Sequence, residues 1–102
     1  MINFDIRISK QADNDISNLD YFITDVCKSP LTASNYVKGI YNEISKLKRN
    51  ANVFKISTLK SVLQYGHNAR RINYKKIAII YTIHNDVVIV RRILPGGIIT
   101  GI

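Results

Sequence analysis

Residues 2–8 alternate apolar and polar side chains, which predicts a half-buried β-strand. The apolar members, which we expect to face the core, are Ile2, Phe4, Ile6 and Ile8. The spacing of the apolar residues then lengthens to three and four residues, as in helices. Beyond residue 68 the chain contains runs of β-branched and aromatic residues, as in strands. The pattern therefore predicts a strand, a helical region and a second group of strands.

A first helix is predicted to begin after Ser9, because serine is a favourable N-cap. Its apolar positions recur at spacings of four, three and four residues, at Ala12, Ile16, Leu19 and Ile23. We expect a wider stripe that also includes Tyr21, Phe22 and Val26. The outer surface is expected to carry Asp13, Asp15 and Asp20.

A second helix is predicted to open at Ser29-Pro30, since proline is tolerated at the first helical position. Its apolar stripe consists of Ala33, Val37, Ile40, Ile44 and Leu47. Two helices with matching stripes and a short connection form an antiparallel hairpin. Gly39 costs about 1 kcal/mol relative to alanine in this helix, and we expect a close crossing of the two helices to explain it.

The second half of the chain predicts a three-stranded antiparallel meander. The runs 69–74, 77–83 and 87–94 are separated by the turn-forming pairs Lys75-Lys76 and Asn85-Asp86. Residues 53–68 fit a short strand or an irregular connection equally well. The predicted fold is α+β: an N-terminal strand, a two-helix hairpin and the meander, forming one small sheet covered on one face by the helices. We expect residues 1–102 to form a single domain.

Charge is distributed unevenly along the chain. The net charge of the 102 residues is +8. Residues 1–44 hold four basic and six acidic residues, whereas the remainder holds eleven basic residues against a single acidic one, Asp86. This asymmetry favours a nucleic acid or an acidic protein as partner. One cysteine allows no internal disulfide, and no apolar run approaches a signal peptide or a membrane span, so we expect a cytoplasmic protein without membrane contact.

Four arginines occupy the meander, as the pairs Arg70-Arg71 and Arg91-Arg92. Neighbouring residues of a strand point to opposite faces, so we expect only one member of each pair to line a given surface. Because the helices cover the other face, the arginines are expected to gather on the open face of the sheet.

The ordered elements resemble the RelE/ParE superfamily of toxins from type II toxin–antitoxin pairs, in its ParE-like or plasmid-stabilisation branch. The residues that carry the resemblance are the two helical stripes with Ser9 and Tyr36, then Ile72, Ile79-Ile80-Tyr81, Ile83, Asp86 and Val90 to Leu94. Two departures are evident. Ile77-Ala78 stands where the family often has Tyr-Arg, and the ending from Pro95 to Ile102 contains no His, Tyr or Arg that could transfer a proton.

A ribonuclease of the RelE kind would, by this resemblance, use Arg70, Arg71 and Arg92 to hold the phosphate and stabilise the transition state. Contacts with the target or antitoxin are expected from Lys55, Lys60, Arg91 and Tyr81. Proton transfer has only weak candidates. His67 and His84 are expected to be loop and turn residues, while the rings of Tyr74 and Tyr81 are expected to pack on the sheet.

A ParE-type toxin needs no such apparatus, and the resemblance then implies a protein target, DNA gyrase. The bare C-terminal ending favours this function over that of a ribosome-dependent mRNA endonuclease. A non-toxic basic domain that binds nucleic acid or protein is a further alternative. The resemblance also implies a cognate antitoxin with an acidic or amphipathic C-terminal segment and no cofactor or metal. It leaves open a homodimer or a heterotetramer with the antitoxin.

Overall fold

A computed structural model describes residues 3–95 and contains four strands, three α-helices and one π-helical segment. In chain order they are β1 (Asp5–Ile8), α1 (Lys10–Tyr21), the π-helical segment (Phe22–Val26), α2 (Pro30–Asn50), α3 (Lys60–Leu63), β2 (Arg70–Tyr74), β3 (Ile77–His84) and β4 (Val87–Pro95). The predicted α+β fold, with its strand, helix pair and meander, is confirmed. The short helix α3 was not predicted.

The four strands form one mixed sheet in the order β1-β4-β3-β2. Strands β2, β3 and β4 pair antiparallel, as predicted, and β1 joins β4 in parallel with Ile8 opposite Val90. The two tight turns place Lys75 and Asn85 at φ values of 54° and 57°. Asparagine tolerates this left-handed conformation better than lysine, so the β3–β4 turn is the more favourable of the two.

Helices α1 and α2 pack on one face of the sheet and enclose the main core. Their contribution comes from the predicted stripes, with Ala12, Ile16, Ile40, Ile44 and Leu47 buried. Phe4 is also buried and Ile6 and Ile8 pack against this core, as the alternating pattern predicts, while Ile2 lies outside the described residues. The prediction for the end of the first stripe was wrong, since Tyr21, Phe22 and Val26 are 64%, 52% and 59% exposed.

The second face of the sheet is partly covered by α3 and the residues that flank it. A smaller core joins Val62 and Ala69 to Ala78, Ile80 and Leu94 of the sheet, with Leu59, Leu63 and Tyr65 packed around it. An isolated bridge pairs Ile56 with Arg70, so the connection from α2 runs beside β2 before it crosses this face. The helices were expected to provide the only cover, and in that respect the prediction was wrong.

Serine residues stand at the start of both long helices but act differently. The Ser9 hydroxyl accepts a hydrogen bond from Ala12 N at 3.0 Å and donates to Arg91 O at 2.9 Å, which ties the start of α1 to β4. Ser29 occupies the N-cap position before Pro30, yet its side chain caps no backbone amide and bonds the Thr32 hydroxyl at 2.6 Å.

Gly39 faces the sheet, not the other helix. A Cβ atom at this position would lie 2.0 Å from the Tyr74 hydroxyl oxygen and 2.2 Å from the ring carbon that carries it. The expected close crossing of helices is therefore wrong as the explanation. Glycine is required here because the Tyr74 ring, in an edge-to-face contact with Tyr36, lies directly on α2.

Candidate functional site

The arginine pair of β2 divides between the two faces of the sheet, as strand alternation predicts. Arg70 lies opposite Tyr81, on the side of the helices, and its guanidinium donates a hydrogen bond to Phe54 O. Arg71 lies opposite Ile80 and therefore points to the second face. Two of their buried guanidinium nitrogens, Nε of Arg70 and Nη1 of Arg71, have no hydrogen-bond partner among the described residues.

The arginine pair of β4 does not divide in this way. The register between β3 and β4 shifts after the pair Ile80–Arg92, so that Tyr81 pairs with Val90 and Arg91 becomes the extra residue of a β-bulge. Arg91 reaches Thr82 while Arg92 lies opposite Ile80, and both arginines thus reach the second face. The expectation that only one of this pair could line the surface was wrong, because strict alternation fails at a bulge.

Arg92 is held by Asp15 of α1. Its Nε and Nη2 atoms donate to the two carboxylate oxygens at 2.8 and 3.0 Å, and the side chains are only 26% and 12% exposed. This hydrogen bonding to Asp15 is the main reason that the pKa of Arg92 is raised. The same carboxylate accepts the backbone N–H of Ile93 at 2.9 Å. Asp15 was predicted on the outer surface; that prediction was wrong, since it serves as a partner for the edge of β4.

Arg91 belongs to a network with Thr82 and His84. Its Nε atom donates to the buried Thr82 hydroxyl at 3.1 Å, and its Nη2 atom lies 3.3 Å from His84 Nε2. Arginine can only donate, so the imidazole nitrogen accepts, and the Thr82 hydroxyl donates to the same nitrogen at 2.9 Å. His84 is exposed but bonded, whereas His67 is an exposed loop residue as predicted.

Tyr81 is not available to a target or an antitoxin, which corrects the sequence-based prediction. Its side chain is fully buried and its hydroxyl donates to Ala51 O at 2.7 Å. Burial raises the pKa of Tyr81 to about 12, against a smaller opposing effect of Arg70. Tyr74 is half-buried between Tyr36 and the Lys75 ammonium group, 5.5 Å from its ring. Neither tyrosine is placed to transfer a proton at the arginines of the second face.

The basic half of the chain, residues 45–95, includes Lys55, Lys60 and Arg71. Lys60 is exposed on α3. Lys55 and Arg71 line a cleft of about 330 Å³, which we call the Arg71 cleft. Its other lining residues are Ile56, Ser57, Thr58 and Leu59. The cleft has no acidic lining residue, and the unpartnered Nη1 atom of Arg71 belongs to the side chain that lines it.

Two apolar surfaces lie beside the helix hairpin. The end of the helix hairpin, which we call the apolar tip, consists of Tyr21, Phe22, Val26 and Leu31, the last 74% exposed. Beside it lies an apolar groove of about 430 Å³ between α1 and the sheet. The groove is lined mainly by Leu19, Phe22, Ile77, Ile93, Leu94 and Pro95. One feature of the sequence could have indicated the exposed tip. The apolar stripe Ala12, Ile16, Leu19 and Ile23 already fills the buried face of the predicted first helix. Tyr21, Phe22 and Val26 are therefore left without core positions.

Within residues 3–95, no group of three or more His, Cys, Asp or Glu side chains could hold a metal ion. In the same range, no helix has the length and apolar character that would cross a membrane. Cys27 is exposed and unpaired there.

This arrangement of a helix hairpin on a mixed sheet with a basic second face defines the class of the RelE/ParE superfamily toxins. Residues 6–99 match the family described as ParE toxin of type II toxin-antitoxin system, parDE, and the chain belongs to that family. It is thus a toxin of a type II toxin–antitoxin pair, as its sequence predicted.

Among solved structures, the chain is similar to one described as the chromosomal ParDE TA system from P. aeruginosa. The TM-score is 0.70 at 14% identity, with 90% of this chain and 95% of that chain covered. At this identity the likeness concerns the fold. No curated protein sequence matches the chain significantly.

Proposed function

We propose that this toxin arrests growth in the cytoplasm by binding and poisoning DNA gyrase, and that a cognate antitoxin with an acidic or amphipathic C-terminal segment neutralises it. The observation that carries the proposal is the apolar tip, where four large side chains are 52–74% exposed on a single hairpin. Several large exposed apolar side chains at one end of a hairpin are typical of a surface that binds another protein.

We propose that the antitoxin binds in the apolar groove beside the tip. The apolar groove lies between α1 and the sheet, and Lys76 stands at its margin. An amphipathic segment can place its apolar side chains in such a groove while its acidic residues meet the positive field of residues 45–95. The tip and the groove share Phe22, so a bound antitoxin would also hinder access to the tip.

Three observations weigh against a ribonuclease of the RelE kind. Arg92, a residue that would hold the phosphate, is engaged by both oxygens of Asp15. Tyr81 is buried with a raised pKa, and the imidazole Nε2 of His84 already accepts hydrogen bonds from Thr82 and Arg91. General acid–base catalysis needs a proton donor or acceptor that reaches the phosphate, and the buried Tyr81 hydroxyl cannot reach one.

The experiment has two parts. The protein is first produced alone and then with its antitoxin, and we expect arrest of growth only in the first case. Purified toxin is then added to DNA gyrase with supercoiled plasmid, where we expect inhibited supercoiling and accumulation of cleaved DNA. Primer extension on mRNA from arrested cells provides the alternative readout, because codon-phased cuts with unaffected gyrase would establish the ribonuclease instead.

Paired variants test the role of the tip. Leu31→Ser and Val26→Ser change exposed residues of the tip, so their effect on folding should be small. We expect them to weaken gyrase inhibition about tenfold, as loss of large apolar contacts does at protein interfaces. Val53→Ser is the matched control, since Val53 is 71% exposed but lies beyond α2. Equal inhibition by all three variants would remove the tip from the proposal.

A further inference from the structure

We propose that the Arg71 cleft binds a backbone phosphate of duplex DNA, so that the toxin contacts DNA as well as protein. The inference rests on the proposed function in one respect only: gyrase acts on duplex DNA, which is therefore close to any toxin bound to that enzyme. The evidence for the cleft itself comes from its own residues.

The first observation is the unsatisfied guanidinium group. Arg71 is one of the residues that line the cleft, and its Nη1 atom is buried without a hydrogen-bond partner among the described residues. Buried polar groups are nearly always paired, and a charged donor without an acceptor destabilises the free protein. Because Nη1 has almost no accessible surface, a ligand oxygen would supply the missing acceptor once the guanidinium group turns towards the cleft.

The second observation is the chemistry of the surrounding side chains. Lys55 adds a second positive charge, and Ser57 and Thr58 add two hydroxyl groups. The Ser57 hydroxyl accepts a hydrogen bond from Leu59 N at 3.1 Å, so its own hydrogen remains to be donated. Two cations and two hydroxyls suit an oxyanion with several acceptor oxygens, and the arginine fork matches phosphate geometry.

The wider charge distribution favours a polyanion over an isolated anion. Among residues 45–95 the single acidic residue is Asp86, in the turn between β3 and β4. Two further cations lie next to cleft residues: Lys60 follows Leu59 in the sequence, and Arg70 pairs with Ile56. Duplex DNA presents a dense line of phosphates to such a surface, and binding through phosphates carries no sequence requirement. A carboxylate of a protein partner, with two oxygens in a plane, would use fewer of the donors.

The test measures binding of the purified full-length toxin, free of antitoxin, to a fluorescently labelled duplex of mixed sequence by fluorescence anisotropy at several salt concentrations. We expect Arg71→Gln to weaken binding about tenfold and to reduce the salt slope by about one. Lys38→Gln removes the same charge from an exposed position on α2 and serves as the matched control. Equal losses in the two variants would show that only net charge matters and would overturn the assignment.

Stability gives a second, independent readout. Arg71→Met removes the unpartnered N–H groups, and its midpoint of urea unfolding should equal or exceed that of the wild type. A clearly lower midpoint would mean that Arg71 has an internal partner in the free protein, which contradicts the first observation. A loss of affinity for an acidic antitoxin peptide in Arg71→Gln, with DNA binding unchanged, would assign the cleft to a carboxylate instead.

The inference and the proposed function can fail separately. If the wild-type toxin inhibits gyrase but Arg71→Gln binds DNA as well as the wild type does, only the inference is wrong. If Arg71 governs DNA binding while gyrase is unaffected, the phosphate site stands and the proposed target is wrong.

Discussion

The two arginine pairs of the sheet resemble each other in sequence but differ in every physical respect. On β4, the bulge brings Arg91 and Arg92 to the second face, where Thr82, His84 and Asp15 bond their guanidinium groups. On β2, regular alternation sends Arg70 and Arg71 to opposite faces, and each retains a buried nitrogen without a partner.

The difference teaches that a cation is available for function only where the fold provides no acceptor for it. Asp15 lies in the acidic half of the chain and meets β4 through α1, so it neutralises Arg92. The surroundings of Arg71 come entirely from the basic half, in which no carboxylate is near. We therefore regard the β4 pair as structural, and within the β2 pair we propose a binding role for Arg71, which lines the cleft.

The largest effect on stability is expected from Asp15→Ala, which tests the structural role of the arginine pair of β4. It leaves the Arg92 guanidinium and the Ile93 N–H without their acceptor. Loss of one partner from a largely buried ion pair costs about 4 kcal/mol of the free energy of unfolding. Urea unfolding measures this loss. Asp13→Ala, which removes an exposed carboxylate from the same helix, should cost less than about 1 kcal/mol.

A smaller effect is expected at high pH from Tyr81, the residue opposite Arg70. Its pKa is raised from 10.0 to about 12 in the folded protein, so the folded state retains the phenol proton that the unfolded state releases. This contribution is complete below pH 10 and is lost as the pH rises through 12. It amounts to up to about 3 kcal/mol. Unfolding experiments between pH 9 and about pH 12 should show the decline.

The matched variant for this prediction is Tyr81→Phe. It removes the titrating group, so the decline with pH that is due to Tyr81 should disappear. At neutral pH it leaves Ala51 O without its donor, at a cost of about 1–2 kcal/mol. An unchanged alkaline profile in the variant would contradict the role given to this residue.

Tyr74, at the C-terminal end of β2, packs against Gly39 of α2, and Gly39→Ala tests this contact. The added methyl group would collide with the Tyr74 ring, and such overpacking costs about 2 kcal/mol despite the better helix propensity of alanine. In a Tyr74→Leu background the collision is removed, and the same change should stabilise α2 by up to about 1 kcal/mol. Thermal unfolding of the four proteins gives the sign in each background, and the same sign in both would refute the contact.

The smallest effect on stability is expected for Arg70→Met, which tests whether the arginine pair of β2 contributes to stability. The variant loses one hydrogen bond to Phe54 O but also removes a buried nitrogen without a partner, so the free energy of unfolding should change by less than about 0.5 kcal/mol. The positive charge of Arg70 lowers the pKa of Tyr81, so that pKa should rise further. Spectroscopic titration of tyrosinate would detect the change, and a fall would be contrary to the assigned contact.

The sequence predicted the elements that depend on local pattern and missed those that depend on tertiary placement. The four-three spacing of α1 and α2 and the turn residues Asn85-Asp86 are local signals, and the helices and the meander follow from them. The parallel pairing of β1 with β4 joins residues about eighty positions apart, and nothing in either segment specifies the partner.

The candidate site was harder to predict for the same reason. Arg92 is neutralised by Asp15, which lies seventy-seven residues earlier in the chain. Its position also depends on a β-bulge, and no glycine or proline in the sequence indicates that bulge. Tyr81 was expected to contact the target or antitoxin, yet its side chain is fully buried in the main core. Lys55, Lys60 and Arg71 could be selected from charge alone, but the Arg71 cleft forms where the connection before α3 lies against Arg71 of β2, a tertiary contact.

The bond from Asp15 to the Ile93 amide has a consequence for self-association. Beyond Val90, where pairing with β1 ends, the outer rim of β4 would present free backbone donors to any extended chain in solution. The Asp15 carboxylate on α1 accepts a hydrogen bond from this edge, as a further strand would, but it presents no new strand edge for pairing. Asp15 thus removes one backbone donor from this edge, which disfavours pairing of this part of β4 with another molecule.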